Sequence, residues 1–569
     1  MFNHLSPTAR TRPLRRVLTP IATGTALVAL AMCSTAQAQV TPAMERLARQ
    51  LETQTPIKDA KGEPPKSETD TSAPSYLLPA QIAVLQKILA SAKPLVAVPV
   101  RATLASVQSA WAAFRDGSGN DSLGHLDTTL AALGNAQASL VEAIALANDN
   151  TDARLRGVQQ QLSLTSQRIA RDVNGHARAA GVSEARLDPA DLQLAAADAA
   201  VGRGDHVGAA GSFALGLSLS ANTLVFDIAR FEANIHSAFD SKSVGHSYAI
   251  SFGGQPHSSG KNGQARTAAD APATAQSPTK EMHVASVSKS ITAILVMKLL
   301  ADKGLSAETA VAPYLPSDWT RGAGVELLTF KSFMTHRSGI EQNGVQGSDY
   351  ASLRAVIAKP VGSTGFQYNN ANYGMLRVLA AGLLGIDPVN YAEFDAGSLT
   401  AAAFIIEAQT LYSGIGVSVD CGPADGKPTI QYRFPDTGNS GYAEPPRGLT
   451  CGGYGWHISA REITSVMANL RYSTNLVPTP YFTEMKADYL GFMNPAQYGS
   501  FANGKFGVYF GHGGDWSHGN GGLDSCYLMF PIVVEAAVLV NSNGGSYGPS
   551  GGHQCTALKE SFDNAWVPK

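Results

Sequence analysis

The clearest pattern of apolar and polar positions lies in the first half of the chain. Leu123, Leu126, Leu130, Leu133, Leu140 and Ile144 recur mostly at three- and four-residue steps. After the polar break Asn148-Asp149-Asn150, Leu155, Val158, Leu162 and Ile169 repeat the pattern. Such steps put the apolar side chains on one stripe of a helix, so a helical hairpin or small bundle is expected over residues 76–235. Near Phe231 the texture changes. Val244 to Phe252 alternates like a strand and Gly253-Gly254 follows as a turn. After a Gly/Ser/Pro-rich stretch, a helix is expected from Ser286 to about Lys303, closed by Gly304. Further helices alternate with long loops to about Ala468. Gly507 to Phe510, Cys526 to Phe530 and Val533 to Val540 read as strands, and Thr556 to Trp566 as a last helix. Strands at both ends with helices between them predict an α/β sheet carrying an inserted helical subdomain.

The extreme N-terminus follows another logic. Arg10, Arg12, Arg15 and Arg16 precede an apolar run from Ile21 to Met32, and Ala36-Gln37-Ala38 offers a small-residue cleavage site. That is the plan of an export signal over residues 1–38, and the run is too short to span a membrane. The Arg15-Arg16 pair leaves a twin-arginine signal open, and Cys33 a lipidated one. Residues 39–75, rich in Lys, Glu, Thr and Pro, read as a flexible linker. A periplasmic or secreted protein is expected, with no transmembrane segment in the mature chain.

Composition narrows the class. The 569 residues are 44% hydrophobic and 15% charged, which fits folded domains, two or three at this length. A formal net charge of −2 with no basic stripe gives a nucleic-acid partner no electrostatic support. Past the signal there are four cysteines, Cys421, Cys451, Cys526 and Cys555, an even number that suggests disulfides in an oxidising compartment. Three pairings are possible. Cys421–Cys451, which brackets one Gly/Pro-rich loop, and Cys526–Cys555 are favoured over the alternatives, and buried free thiols are the other reading. No C-x-x-C or H-E-x-x-H spacing suggests zinc.

The chemistry begins with Ser-x-x-Lys, which occurs at Ser258–Lys261, Ser277–Lys280 and Ser286–Lys289. The first two lie among Gly, Pro and Ser. Only the third opens a helix, where residues three apart share a face and the Lys289 amine can reach the Ser286 hydroxyl. Free N–H groups at that helix start favour a developing oxyanion. A serine hydroxyl needs an adjacent base to become a nucleophile, although a serine here could also be a simple cap. Tyr368 and Asn370, two residues apart at a helix entry, can both face a cleft. Ser517-His518-Gly519-Asn520-Gly521-Gly522 leads into the strand around Cys526. There His518 would offer a polar group, and a backbone N–H near Gly521 a second oxyanion donor beside that of Ser286. Gly544-Gly545-Ser546-Tyr547-Gly548 fits the Gly-x-Ser-x-Gly elbow, but no helix signal follows it and His553 precedes Asp563, so a Gly-rich loop is the better reading.

Ser286-Val287-Ser288-Lys289, Tyr368-Asn369-Asn370 and His518-Gly519-Asn520, in this order, resemble the three motifs of the β-lactamase-like serine hydrolases: class C β-lactamases, DD-peptidases and family VIII esterases. Leu328 to Gly339 and Gly455 to Glu462 are similar to structural segments of that family, with His336 as a scaffold residue. The resemblance spans roughly residues 236–569. It implies an antiparallel sheet flanked by helices with an inserted all-helical subdomain, here preceded by the helical N-terminal region. It also implies a Ser286 acyl-enzyme, general-base and general-acid work shared by Lys289 and Tyr368, positioning by Asn370, and no cofactor or metal. The third motif departs from Lys-Thr-Gly, lacking both its cation and its hydroxyl. Cleavage of an ester, amide or peptide bond in a small substrate is therefore expected, with penicillins slow. A DD-carboxypeptidase, a class C-type β-lactamase and a catalytically weak penicillin-binding sensor are the competing readings. The helical N-terminal region is expected to dock a partner at most, so that removing residues 39–230 leaves hydrolysis largely intact.

Overall fold

The computed structural model describes principally residues 41–52, 153–340, 347–423, 428–494, 503–530 and 533–569. The export signal, most of the expected linker and the leucine stripe from Leu123 to Ile144 lie outside the described residues.

The helices are α1 (Pro42–Glu52), α2 (Ala153–Ala179), α3 (Glu184–Gly202), α4 (His206–Ala221), α5 (Ile228–Phe239), α6 (Ser288–Asp302), α7 (Phe330–Met334), α8 (Tyr350–Ile357), α9 (Asn370–Leu383), α10 (Glu393–Ser413), α11 (Ala460–Tyr472), α12 (Thr479–Asp488) and α13 (Gln554–Asp563). The strands that matter here are β1 (Leu224–Phe226), β2 (Gly245–Phe252), β3 (Gln255–Arg266), β4 (Thr274–Ala275), β5 (Met282–His283), β6 (Tyr432–Arg433), β7 (His457–Ile458), β8 (Asn503–Gly504), β9 (Gly507–Val508), β10 (Phe510–His518), β11 (Gly521–Met529), β12 (Val534–Val540), β13 (Ser542–Asn543) and β14 (Trp566–Pro568). The main sheet has eight strands in the order β13-β6-β11-β12-β2-β3-β4, with β10 also paired to β11. Its pairs are antiparallel except β13 with β6.

Strand side chains alternate between faces, and here both faces are covered. On β12, Val534, Ala536, Val538 and Val540 enter one apolar core while Ala537 and Leu539 enter the other. The second of these cores holds α6, α9 and the rest of the inserted helices between β5 and β10. The first holds α5 and α13, and also Val173, Leu187, Leu194, Phe213 and Leu217 of α2 to α4. The N-terminal helices thus share a core with the sheet across the boundary expected at 235/236. The side chains of the second expected series, Leu155, Val158, Leu162 and Ile169, lie outside those described.

Two local expectations are corrected. The linker expected over 39–75 begins with α1, because Met44, Leu47 and Ala48 form an apolar stripe: Met44 packs with Leu399 and Ala403 of α10, and Leu47 and Ala48 with the main core. The Gly/Ser/Pro-rich stretch after Gly254 is strand β3, paired with β2 along its length. Its side chains face solvent over most of that length, so no alternation marks it in the sequence. Among the described residues, no helix is long and apolar enough to cross a membrane.

Cys421 and Cys451 are disulfide-bonded, as are Cys526 and Cys555, with Cα–Cα distances of 6.0 and 5.4 Å. The first bridge ties the loop before β7, and the second ties α13 to β11.

Candidate active site

Ser286 lies in a single 3-10 turn (Ala285–Val287) that leads directly into α6. Ala285 before it has φ of +43°, an unfavourable conformation for a residue with a Cβ, which turns the chain sharply out of β5. The next turn of helix carries Lys289, fully buried. Lys289 Nζ donates to Ser286 Oγ (3.1 Å), to Asn370 Oδ1 (2.7 Å) and to the Gly453 carbonyl (2.7 Å). These bonds match the three donors of an ammonium to three acceptors.

Tyr368 and Asn370 arrive together at the start of α9, which Asn369 caps through its side chain. The Tyr368 hydroxyl donates to Ser286 Oγ at 2.6 Å, and its ring centre lies 4.6 Å from Lys289 Nζ. Burial of that hydroxyl raises its pKa well above the ordinary tyrosine value, so the neutral phenol is the resting form. His336, in a left-handed conformation (φ +55°), packs its ring 4.5 Å from that of Tyr368 and accepts from the Asn369 N–H. Burial and the Lys289 charge hold His336 neutral.

The third wall is β10, and the structure corrects the expectation there. His518 sits at the end of β10 beside the hairpin turn, stacked on Tyr442 at 3.8 Å. Gly521 pairs with His518, and a Cβ there would strike the Gln431 carbonyl. Neither is brought to Ser286. Instead His512-Gly513-Gly514 lies against it: a Cβ on Gly514 would be 2.8 Å from Ser286 N and 2.7 Å from the Val284 carbonyl. The glycine lets strand and nucleophile turn approach this closely. His512 donates from Nδ1 to the Gly513 carbonyl (2.6 Å). Burial first, then Lys289, lower its pKa to about 3, so it is neutral. The sequence reading settled on His518-Gly519-Asn520 and missed His512-Gly513-Gly514, because the Gly-rich composition of β10 hid the strand that carries both.

The register also points to a backbone donor. The Gly511 carbonyl and the Gly513 N–H both bond outward to Met493, away from β11. Backbone groups two residues apart in a strand point the same way, so the Asp515 N–H emerges on that same free edge. It and the Ser286 N–H lie on either side of Gly514, whereas Gly521, the second donor expected from the sequence, lies at the hairpin end of β11. A pocket of about 230 Å³ adjoins the group, lined in part by His336, Phe366, Tyr373, Phe492 and His512.

The β-lactamase family model matches residues 231–394, which contain Ser286, Lys289, Tyr368 and Asn370. No curated protein matches the chain. Among solved structures it is similar to the octameric penicillin-binding protein homologue from Pyrococcus abyssi (19% identity over 57% of this chain and 75% of that one, TM-score 0.42). It is also similar to the β-lactamase/D-alanine carboxypeptidase from Pseudomonas syringae (16%, 59% and 98%, TM-score 0.43). A third is a D-stereospecific amidohydrolase from Streptomyces sp. (15%, 59% and 98%, TM-score 0.41). The similarity to the β-lactamase family thus rests on residues 231–394, the segment that holds all four residues gathered around Ser286 Oγ.

Proposed function

We propose that this is an exported hydrolase that cleaves an ester, amide or peptide bond through an acyl-enzyme on Ser286. The observation that carries the reading is the convergence of Lys289 Nζ (3.1 Å) and the Tyr368 hydroxyl (2.6 Å) on Ser286 Oγ. The Lys289 ammonium first gives up one proton to solvent, and the resulting amine takes the Ser286 proton as Oγ attacks the carbonyl carbon. The Ser286 and Asp515 N–H groups receive the oxyanion. Tyr368, a neutral phenol, hands a proton to the departing oxygen or nitrogen and is reprotonated from Lys289. Water then attacks the ester on Ser286, its proton returns through the same groups, and Ser286 is released. Asn370 holds Lys289 in line throughout. Two disulfides support an oxidising compartment, and with the N-terminal signal they support export to the periplasm or beyond.

His512-Gly513-Gly514 offers neither a cation nor a hydroxyl for a substrate carboxylate, which favours uncharged esters and amides over β-lactams. The test is initial-rate hydrolysis of short p-nitrophenyl esters and of a penicillin by wild type and Ser286→Ala. Turnover of esters well above that of penicillin is expected, with a loss of about 10³-fold or more in the mutant. Equal ester rates in the two proteins would remove Ser286 as the nucleophile. Fast penicillin turnover would make the protein a β-lactamase.

A further inference from the structure

The rear face of β10, turned away from Ser286, carries a polar cluster that the acyl-transfer scheme leaves unused. Asp515 points backward there, although its own N–H emerges at the reacting edge. His553 Nε2 bonds both Asp515 oxygens at 2.9 and 3.0 Å. Gln554 Nε2 donates to Asp515 Oδ1 (2.8 Å), to the Gly514 carbonyl (3.0 Å) and to the Ser525 carbonyl (3.1 Å). One amide therefore spans the β10–β11 pair at the residue that touches Ser286 N. Across the ladder Asp524 faces Asp515, and Tyr547 donates to Asp524 Oδ2 at 2.7 Å. The Cys526–Cys555 bridge fixes the start of α13, and so the two clamping side chains, to β11. A Cβ on Gly513 would lie 3.0 Å from Cys555 Sγ and 3.3 Å from His553 Cε1, so this helix start presses directly on the strand.

We propose that Asp515, His553 and Gln554 form a clamp on the rear of β10 that sets the position of the Asp515 N–H at the substrate carbonyl. They are positioning residues, and the inference rests on the acyl-transfer reading above. An oxyanion donor acts only at a narrow distance and angle, so strand movement of under an ångström is felt in the transition state more than in the ground state. The Asp515–His553 contact joins two partly exposed side chains and contributes little to stability. Its effect is directional: with both carboxylate oxygens held, the Asp515 side chain cannot rotate, and Gln554 fixes the peptide unit before it.

The test uses the full-length oxidised protein and p-nitrophenyl butyrate. His553 also caps α13, so His553→Asn is chosen because asparagine keeps the cap. It and Gln554→Met are expected to lower kcat by about 10- to 100-fold with KM within about twofold. Asp515→Asn combined with His553→Asn should lose no more than the worse single variant, since both break one contact. Lys559→Met loosens α13 at its Asp563 pair and should lower Tm without changing kcat. Unchanged kcat in His553→Asn and Gln554→Met, or an equal loss in Lys559→Met, would overturn the clamp. A fluorophosphonate probe on Ser286, read by mass spectrometry, separates the two levels. Wild type that neither turns over nor labels sinks the acyl-transfer reading and the clamp with it; wild type that does both, beside fully active variants, sinks the clamp alone.

Discussion

A methyl group at position 514 has no room. Its carbon would lie 2.6 Å from Ser525 Oγ, 2.7 Å from the Val284 carbonyl and 2.8 Å from Ser286 N, distances that real Cβ atoms do not adopt. Gly514→Ala must therefore push β10 away from the nucleophile. A displacement approaching an ångström at reacting groups costs on the order of 10²-fold in rate, and that is the expected fall in kcat/KM for p-nitrophenyl esters. Gly519→Ala is the natural control. Nothing lies within 4 Å of a Cβ there, and activity should stay within about twofold. The reverse result would restore His518-Gly519-Asn520 as the third motif. Ser286 with Lys289, and Tyr368 with Asn370, were legible in the sequence because each pair is local; that the two pairs meet was only what the family resemblance implied. The choice between His512 and His518 was not, because it depends on which residue of β10 stands opposite Ser525.

At the scale of elements, four strands hold histidines that the fold keeps neutral. Burial is the first cause at each: it lowers His246 on β2 to about 4, and His283 on β5, His457 on β7 and His512 on β10 to about 3. Their folded values lie below the unfolded value near 6.5. Protons therefore bind the unfolded chain preferentially, and the stability held above pH 6.5 is lost as pH falls toward 4 and 3. One unit below 6.5 the four together remove on the order of 5 kcal/mol, a large part of a typical 5–15 kcal/mol total. His553 acts in the opposite direction. Burial disfavours its charge, but Asp515 outweighs burial and raises its pKa, so its contribution is full at acid pH and fades as pH rises. Urea midpoints measured at pH 7.5, 6.5, 5.5 and 4.5 should fall steeply only below 6.5. A flat profile would mean that these rings protonate in place. Periodicity could foresee the α6 and α9 helices that carry the site. It could not foresee β10, whose three glycines and two histidines lack any strand-like alternation.

Across the whole molecule the sheet needs both of its covers. The sequence pattern makes residues 76–235 a helical region with its own stripe, and on that reading the hydrolase would survive without residues 39–230. Other apolar residues of that region find their partner in the sheet. Phe213 and Leu187 are fully buried, and Val173, Leu217 and Leu194 nearly so, in the same core as Phe530, Val538 and Phe562. Burying side chains of this size is worth roughly 1.5–3 kcal/mol each, so removing α2 to α4 withdraws on the order of 10 kcal/mol and bares one face of the sheet. That is comparable to the entire stability of an ordinary domain. Beginning the chain at Asn222, which retains β1 and its pairing with β14, is therefore expected to give protein that aggregates or binds a hydrophobic dye, with ester hydrolysis largely lost. The losses should follow from the exposed face, since Ser286 and Lys289 stand at the start of α6, whose apolar side chains belong to the other core. Replacing Phe213 and Leu217 by Ala in the full chain should then lower Tm while kcat of the folded fraction stays near wild type. A truncated protein that remains monomeric, folded and fully active would return α2 to α4 to the status of a separate domain.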